Sequence, residues 1–66
     1  MYEHALSLLN EYVEIYTYLT KNKLYGEIVQ VTPFEIVLER AHLEKSKNQN
    51  KYLYIPISAI ISIKKL

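Results

Sequence analysis

The sequence has no cysteine, no aspartate and a single glycine, Gly26. Without cysteine there is no disulfide and no thiolate metal site. Without aspartate the commonest side chain of metal sites and tight turns is missing. One glycine cannot build a glycine-rich phosphate loop, and no Ser-His-acid set stands at a recognisable spacing. The two histidines, His4 and His42, show no ligand spacing such as paired histidines one helical turn apart. These absences point away from an enzyme and imply neither cofactor nor metal. No segment approaches the roughly 20 apolar residues of a membrane span. Nor does a basic region followed by a long apolar run open the chain. The expectation is a cytoplasmic protein with no membrane partner.

What the chain does have is a large apolar load. Half of its 66 residues are hydrophobic and seven are tyrosine. The length suffices for one domain. A core of this size seldom supplies more than roughly 3–5 kcal/mol, so small domains usually carry a staple. With disulfides excluded, the staple left over is self-association. The formal net charge of +1 is too small to announce a nucleic-acid partner, unless oligomerisation gathers the lysines into patches.

Hydrophobic periodicity divides the chain into a helix and five strands. In "YEHALSLLNEY" Ala5, Leu8, Leu9 and Tyr12 recur at helical spacing, which predicts a helix over about 2–12. From Val13 the period becomes two. Val13, Ile15, Thr17 and Leu19 fall on one face, with Glu14, Tyr16 and Tyr18 on the other. The strands are expected at about 13–20, 23–31, 34–44, 51–56 and 59–65. Lys21-Asn22 reads as a tight hairpin turn in which Asn tolerates positive φ. Thr32-Pro33 breaks the second strand, and Pro56 ends or bulges the fourth. In the third, Phe34, Ile36 and Leu38 oppose Glu35, Val37 and Glu39. Gly26 sits inside the second strand, where a glycine marks a corner. The fold expected is mainly β: a short N-terminal α-helix, then a five-stranded, strongly bent antiparallel SH3-like small barrel.

A helix followed by five bent strands resembles the Sm-like proteins (Sm, LSm and bacterial Hfq). "YLTKNKLYGEIVQVTPFEIVL" is similar to their first motif and "LYIPISAIISI" to their second. The resemblance covers most of the chain. It implies a ring of six or seven subunits, closed by pairing the fourth strand of one copy with the fifth of the next. The residues concerned would be Tyr54, Ile55, Ile57, Ile60, Ile61 and Ile63. An apolar strand left at a sheet edge would otherwise template aggregation, and a head-to-tail contact that closes yields a ring. The departures from the family pattern are specific. Thr32 stands where the turn usually carries Asp, and no uridine-reading Asn follows it. Pro33 stands where Hfq has Gln, and Ile55-Pro56 replaces the Lys-His that follows the tyrosine of the second motif.

By the same resemblance, Phe34 follows the pore-lining turn and Tyr18 matches a tyrosine that stacks on adenine. Lys23 and Leu24 lie near it, and Tyr54 matches the tyrosine of the second motif. Phe34 reads equally as a core residue in alternation with Ile36 and Leu38. Tyr18 and Tyr25 read either as base-stacking residues or as cross-strand packing pairs. Lys45, Lys47 and Lys51, in the hairpin "KSKNQNK", read as a solvated tip or as phosphate contacts. Two functions follow. The first is a homo-oligomeric ring holding single-stranded A- or U-rich RNA by stacking and phosphate contacts through Phe34, Tyr18, Tyr25, Lys23, Tyr54 and Lys51. The alternative is a small SH3-like protein–protein interaction or scaffold module without RNA.

Overall fold

Helix α1 spans Tyr2–Ser7 in the protein's structure, a computed structural model that describes residues 1–40 and 51–66. Strands β1 (Tyr12–Thr17), β2 (Leu24–Val31), β3 (Glu35–Arg40), β4 (Tyr52–Pro56) and β5 (Ile60–Lys65) follow, with a 3₁₀ turn at Ile57–Ala59 between the last two. Residues 41–44 of the expected third strand, His42, Lys45 and Lys47 lie outside the described residues.

The helix is shorter than its apolar stripe suggests. Leu8 is C-cap and Asn10 takes a left-handed conformation, φ 69°, which asparagine tolerates better than most residues. The chain there is hooked onto β2: the Asn10 amide donates to the Ile28 carbonyl (2.7 Å), and the Ile28 amide to that of Glu11 (3.1 Å). Ala5 and Leu8 remain buried, but Leu9 and Tyr12 are exposed rather than continuing the stripe. The positive φ expected at Asn22 is absent. Asn10 is the one non-glycine with positive φ among the described residues, and Thr20 instead donates its hydroxyl to the Asn22 carbonyl (2.6 Å).

All five strands join one antiparallel sheet in the order β4-β3-β2-β1-β5. Alternation sends Val13, Ile15, Ile28, Ile36, Leu38, Ile55, Ile60 and Ile63 to one face, where Ala5 and Leu8 close the core. Fully burying one such side chain is worth roughly 1.5–3 kcal/mol. Thr17, also buried, has its hydroxyl satisfied by the Leu19 amide (3.1 Å).

The mainly β fold is as expected, but the strongly bent, closed barrel is not found. Closure would require a ladder between β4 and β5, and these are the two edges of the sheet. The chain passes between them through the 3₁₀ turn rather than a hairpin, and β5 pairs with β1 instead. The sheet is nevertheless curled. Four strand spacings would hold flat edges about 19 Å apart, whereas the four peptide steps from Pro56 to Ile60 span at most about 14 Å. Two register shifts assist. One leaves Val29 unmatched between Ile28 and Gln30; the other leaves Ile61 unmatched against β1, and such bulges sharpen local twist.

Gly26 pairs with Val13 on one side and Arg40 on the other. Its φ is not positive, so dihedral freedom is not what it supplies. A Cβ there would overlap the Glu39 carbonyl oxygen and stand 3.0 Å from both the Glu39 carbonyl carbon and Leu38 Cγ. The expected corner is thus a close approach of β3 to a side-chain-free stretch of β2. Gly26→Ala should destabilise the fold by about 1–3 kcal/mol through overpacking, outweighing the backbone entropy it saves. A lowered urea midpoint at unchanged slope is the expected result. A midpoint at or above wild type would show that β3 can retreat freely.

Candidate nucleic-acid interface

Phe34 and Tyr18 come from opposite ends of β2, yet both are tied to the 3₁₀ turn. The Ile57 amide donates to the Phe34 carbonyl and the Tyr18 amide to the Ala59 carbonyl, each at 2.9 Å. The turn therefore brings together the β2–β3 and β1–β2 connections. Both rings are left in solvent, Phe34 82% and Tyr18 76% exposed. Of the two readings open for Phe34, burial beside Ile36 and Leu38 is thereby removed. Leu19 is exposed alongside, and Lys21 and Lys23 follow in the same connection.

Thr32 explains how the turn forms without aspartate. Its hydroxyl oxygen accepts from the amides of Phe34 (3.2 Å) and Glu35 (3.0 Å), and its own amide donates to the Glu35 carbonyl (2.9 Å). A threonine hydroxyl can cap such a turn as a carboxylate does. Phe34 is carried outward on a turn fixed at its base.

The remaining candidates lie elsewhere, on the sheet face opposite the core. There Tyr25 donates its hydroxyl to Glu14 Oε2 (3.1 Å), and Lys23 Nζ stands 3.5 Å from the same oxygen. Lys51 Nζ lies 2.8 Å from Glu39 Oε2. Tyr54 is exposed and pairs with Val37. So Phe34 and Tyr18 share one end of the molecule, while Tyr25, Lys23, Tyr54 and Lys51 sit among carboxylates.

Of the residues expected at a strand-to-strand contact, Ile55, Ile60 and Ile63 point into the protein's own core. Ile57 is partly buried against it, whereas Tyr54 and Ile61 are exposed. An edge contact would thus use the main chain of β4 and β5 with the side chains of Tyr54 and Ile61. His4 reaches the β5 edge from α1, its Nε2 donating to the Ile63 carbonyl (3.2 Å).

Periodicity did not single out the density of the outer face. Tyr12, Tyr16, Tyr25, Tyr52 and Tyr54 are all exposed there, interleaved with Glu14, Glu27 and Glu39. The signal lies in "YVEIY" and "YLY", but the register that joins them across the sheet is not written in either run. No pocket forms among the described residues, so a ligand would lie on a surface. Among those residues there is also no helix long and apolar enough to cross a membrane. Comparison of the chain with family models, with curated proteins and with solved structures finds no match in any of the three.

The ammonium of Lys51 is held above the ordinary lysine range, first by its hydrogen bond to Glu39, then by the charge of Glu39, with Tyr52 and Tyr12 adding to it. A raised folded pKa makes this contribution to stability fully present below the unfolded lysine pKa. It is lost as pH rises through the folded value. E39Q should return the Lys51 titration, followed by NMR at the side-chain methylene beside Nζ, toward the ordinary value. An unmoved titration would show that the contact does not persist in solution.

Proposed function

We propose that the chain is an Sm-like, ring-forming module that holds single-stranded A- or U-rich RNA without chemistry. The observation that carries the reading is that the main chains of Phe34 and Tyr18 are both hydrogen-bonded to the one 3₁₀ turn while both rings stand in solvent. Unpaired bases stack on such rings whatever their identity, at roughly 1–3 kcal/mol per base. Lys21, in the connection that begins with Tyr18, supplies charge for a phosphate beside that ring, whereas Lys23 is drawn to Glu14.

Assembly belongs to the same reading. Both edges of the sheet lack a ladder partner among the described residues; β4 carries no charged residue, and β5 has Lys64 and Lys65 at its end and His4 on the Ile63 carbonyl. Proteins ordinarily blunt such edges with charge, cover or pairing. Pairing β4 of one copy with β5 of the next satisfies both edges at once and repeats the Phe34–Tyr18 turn around a closed assembly. Repetition matters because a net charge of +1 per copy is weak by itself.

Light scattering at micromolar concentration should therefore give a mass of six or seven copies. Fluorescence anisotropy with labelled A-rich and U-rich RNA should show binding that weakens steeply with salt. F34A and Y18A should each cost about 1–3 kcal/mol, roughly 5- to 150-fold in Kd. A monomeric mass, or RNA binding indifferent to both substitutions, would overturn the proposal. Salt-insensitive binding of protein rather than RNA would favour a scaffold module.

A further inference from the structure

β5 turns one row of main-chain groups toward β1 and the other row toward the open side of the sheet. Residues directly opposed in an antiparallel pair alternate between exchanging hydrogen bonds and not doing so. The Leu66 amide donates to the Tyr12 carbonyl (3.0 Å), and the register then sets Glu14 against Lys64 and Tyr16 against Ser62 as the bonded pairs. Ile63, opposite Ile15, and Lys65, opposite Val13, therefore point their amides and carbonyls outward. The Ile63 carbonyl is already taken there, because His4 Nε2 stands 3.2 Å from its oxygen. A carbonyl only accepts, so that nitrogen carries the proton. On the far edge the Arg40 amide donates to the Lys51 carbonyl (3.0 Å). The same alternation from that pair turns the main chain of Tyr54, opposite Val37, to the open side of β4.

We infer that His4 is a latch on assembly, held on β5 in the single copy and swung aside before the β4 of a second copy can pair there. The inference rests on the ring reading above. A strand joining β5 would lie about 4.7–4.9 Å away. Its amide would approach the Ile63 oxygen to about 2.9 Å along the direction the imidazole now occupies. Two donors cannot share that line. Opening requires only a side-chain rotation. His4 is exposed, whereas α1 is anchored without it by buried Ala5 and Leu8 and by the hook between Asn10 and Ile28. The exchange is close to balanced at Ile63 itself, where one donor replaces another, and the rest of the ladder is gained. The latch thus raises the concentration at which copies join without forbidding it. In the single copy it covers part of an edge whose residues 60–63 carry no charge, one of the ways proteins restrain an open strand.

Fluorescence-detected sedimentation of the full chain, over a nanomolar-to-micromolar dilution series, tests the inference on wild type, H4A and H4Q. H4A should assemble at a concentration about 2- to 10-fold lower, the loss of one competing hydrogen bond per interface. H4Q keeps a side-chain amide donor at similar reach and should stay at the wild-type midpoint. All three should reach the same copy number, which separates earlier ring closure from aggregation. Thermal unfolding followed by circular dichroism checks that each variant is folded. A purely structural histidine would lower the thermal midpoint in H4A with no gain in assembly. Assembly of H4A at the wild-type concentration or above it overturns the latch and leaves the ring standing. Absence of assembly in all three overturns the ring, and the latch with it.

Discussion

The shortness of the link between β4 and β5 is the constraint on which the molecule depends. Four peptide steps must connect strands at opposite edges of a five-stranded sheet. A flat sheet cannot satisfy that, so the sheet curls. The 3₁₀ turn that makes the crossing is fixed at both ends by main-chain hydrogen bonds, one to Phe34 and one to Tyr18. Within this sheet β3 lies close over β2 at Gly26, where a side chain would overlap the Glu39 carbonyl. The bulges at Val29 and Ile61 relax the two ladders on either side. Turn, glycine and bulges are one mechanical arrangement.

Much of this was legible in the residues. The change of period at Val13 marked the end of the helical segment and the start of the sheet; of the four residues the alternation put on one face, Val13, Ile15 and Thr17 are buried, whereas Leu19 lies past the end of β1 and is exposed. Pro56 marked the end of β4. What could not be read is what depends on long-range register. Closure into a barrel is decided by whether β4 meets β5, and no local pattern reports that. The helix was overextended because Leu9 and Tyr12 match the helical spacing, while the interruption comes from a hydrogen-bonded hook between Asn10 and a strand 18 residues further on, at Ile28. Phe34 was ambiguous for the same reason. Its alternation with Ile36 placed it inside, but the Thr32 hydroxyl holds the turn so that the ring departs from the strand before the alternation begins.

The candidate surfaces divide by charge rather than by residue type. Aromatic rings occur at both, so tyrosine content alone does not distinguish them. Around the 3₁₀ turn the rings project from connections, and Lys21, in the connection that begins with Tyr18, has no ion-pair partner among the described residues. Across the outer face each lysine that approaches is drawn to a glutamate: Lys23 to Glu14 and Lys51 to Glu39. Isolated rings on a rigid turn suit neutral planar groups.

Because β4 and β5 are successive in the chain and separated by so rigid a bend, the angle between the sheet's two free borders is a property of each copy, set before any neighbour arrives. In the proposed head-to-tail ring, that wedge would set how many copies complete the circle. Size of the assembly would then be governed by the stereochemistry of residues 56–60, where Pro56 already fixes one torsion, more than by the strength of the contact between copies.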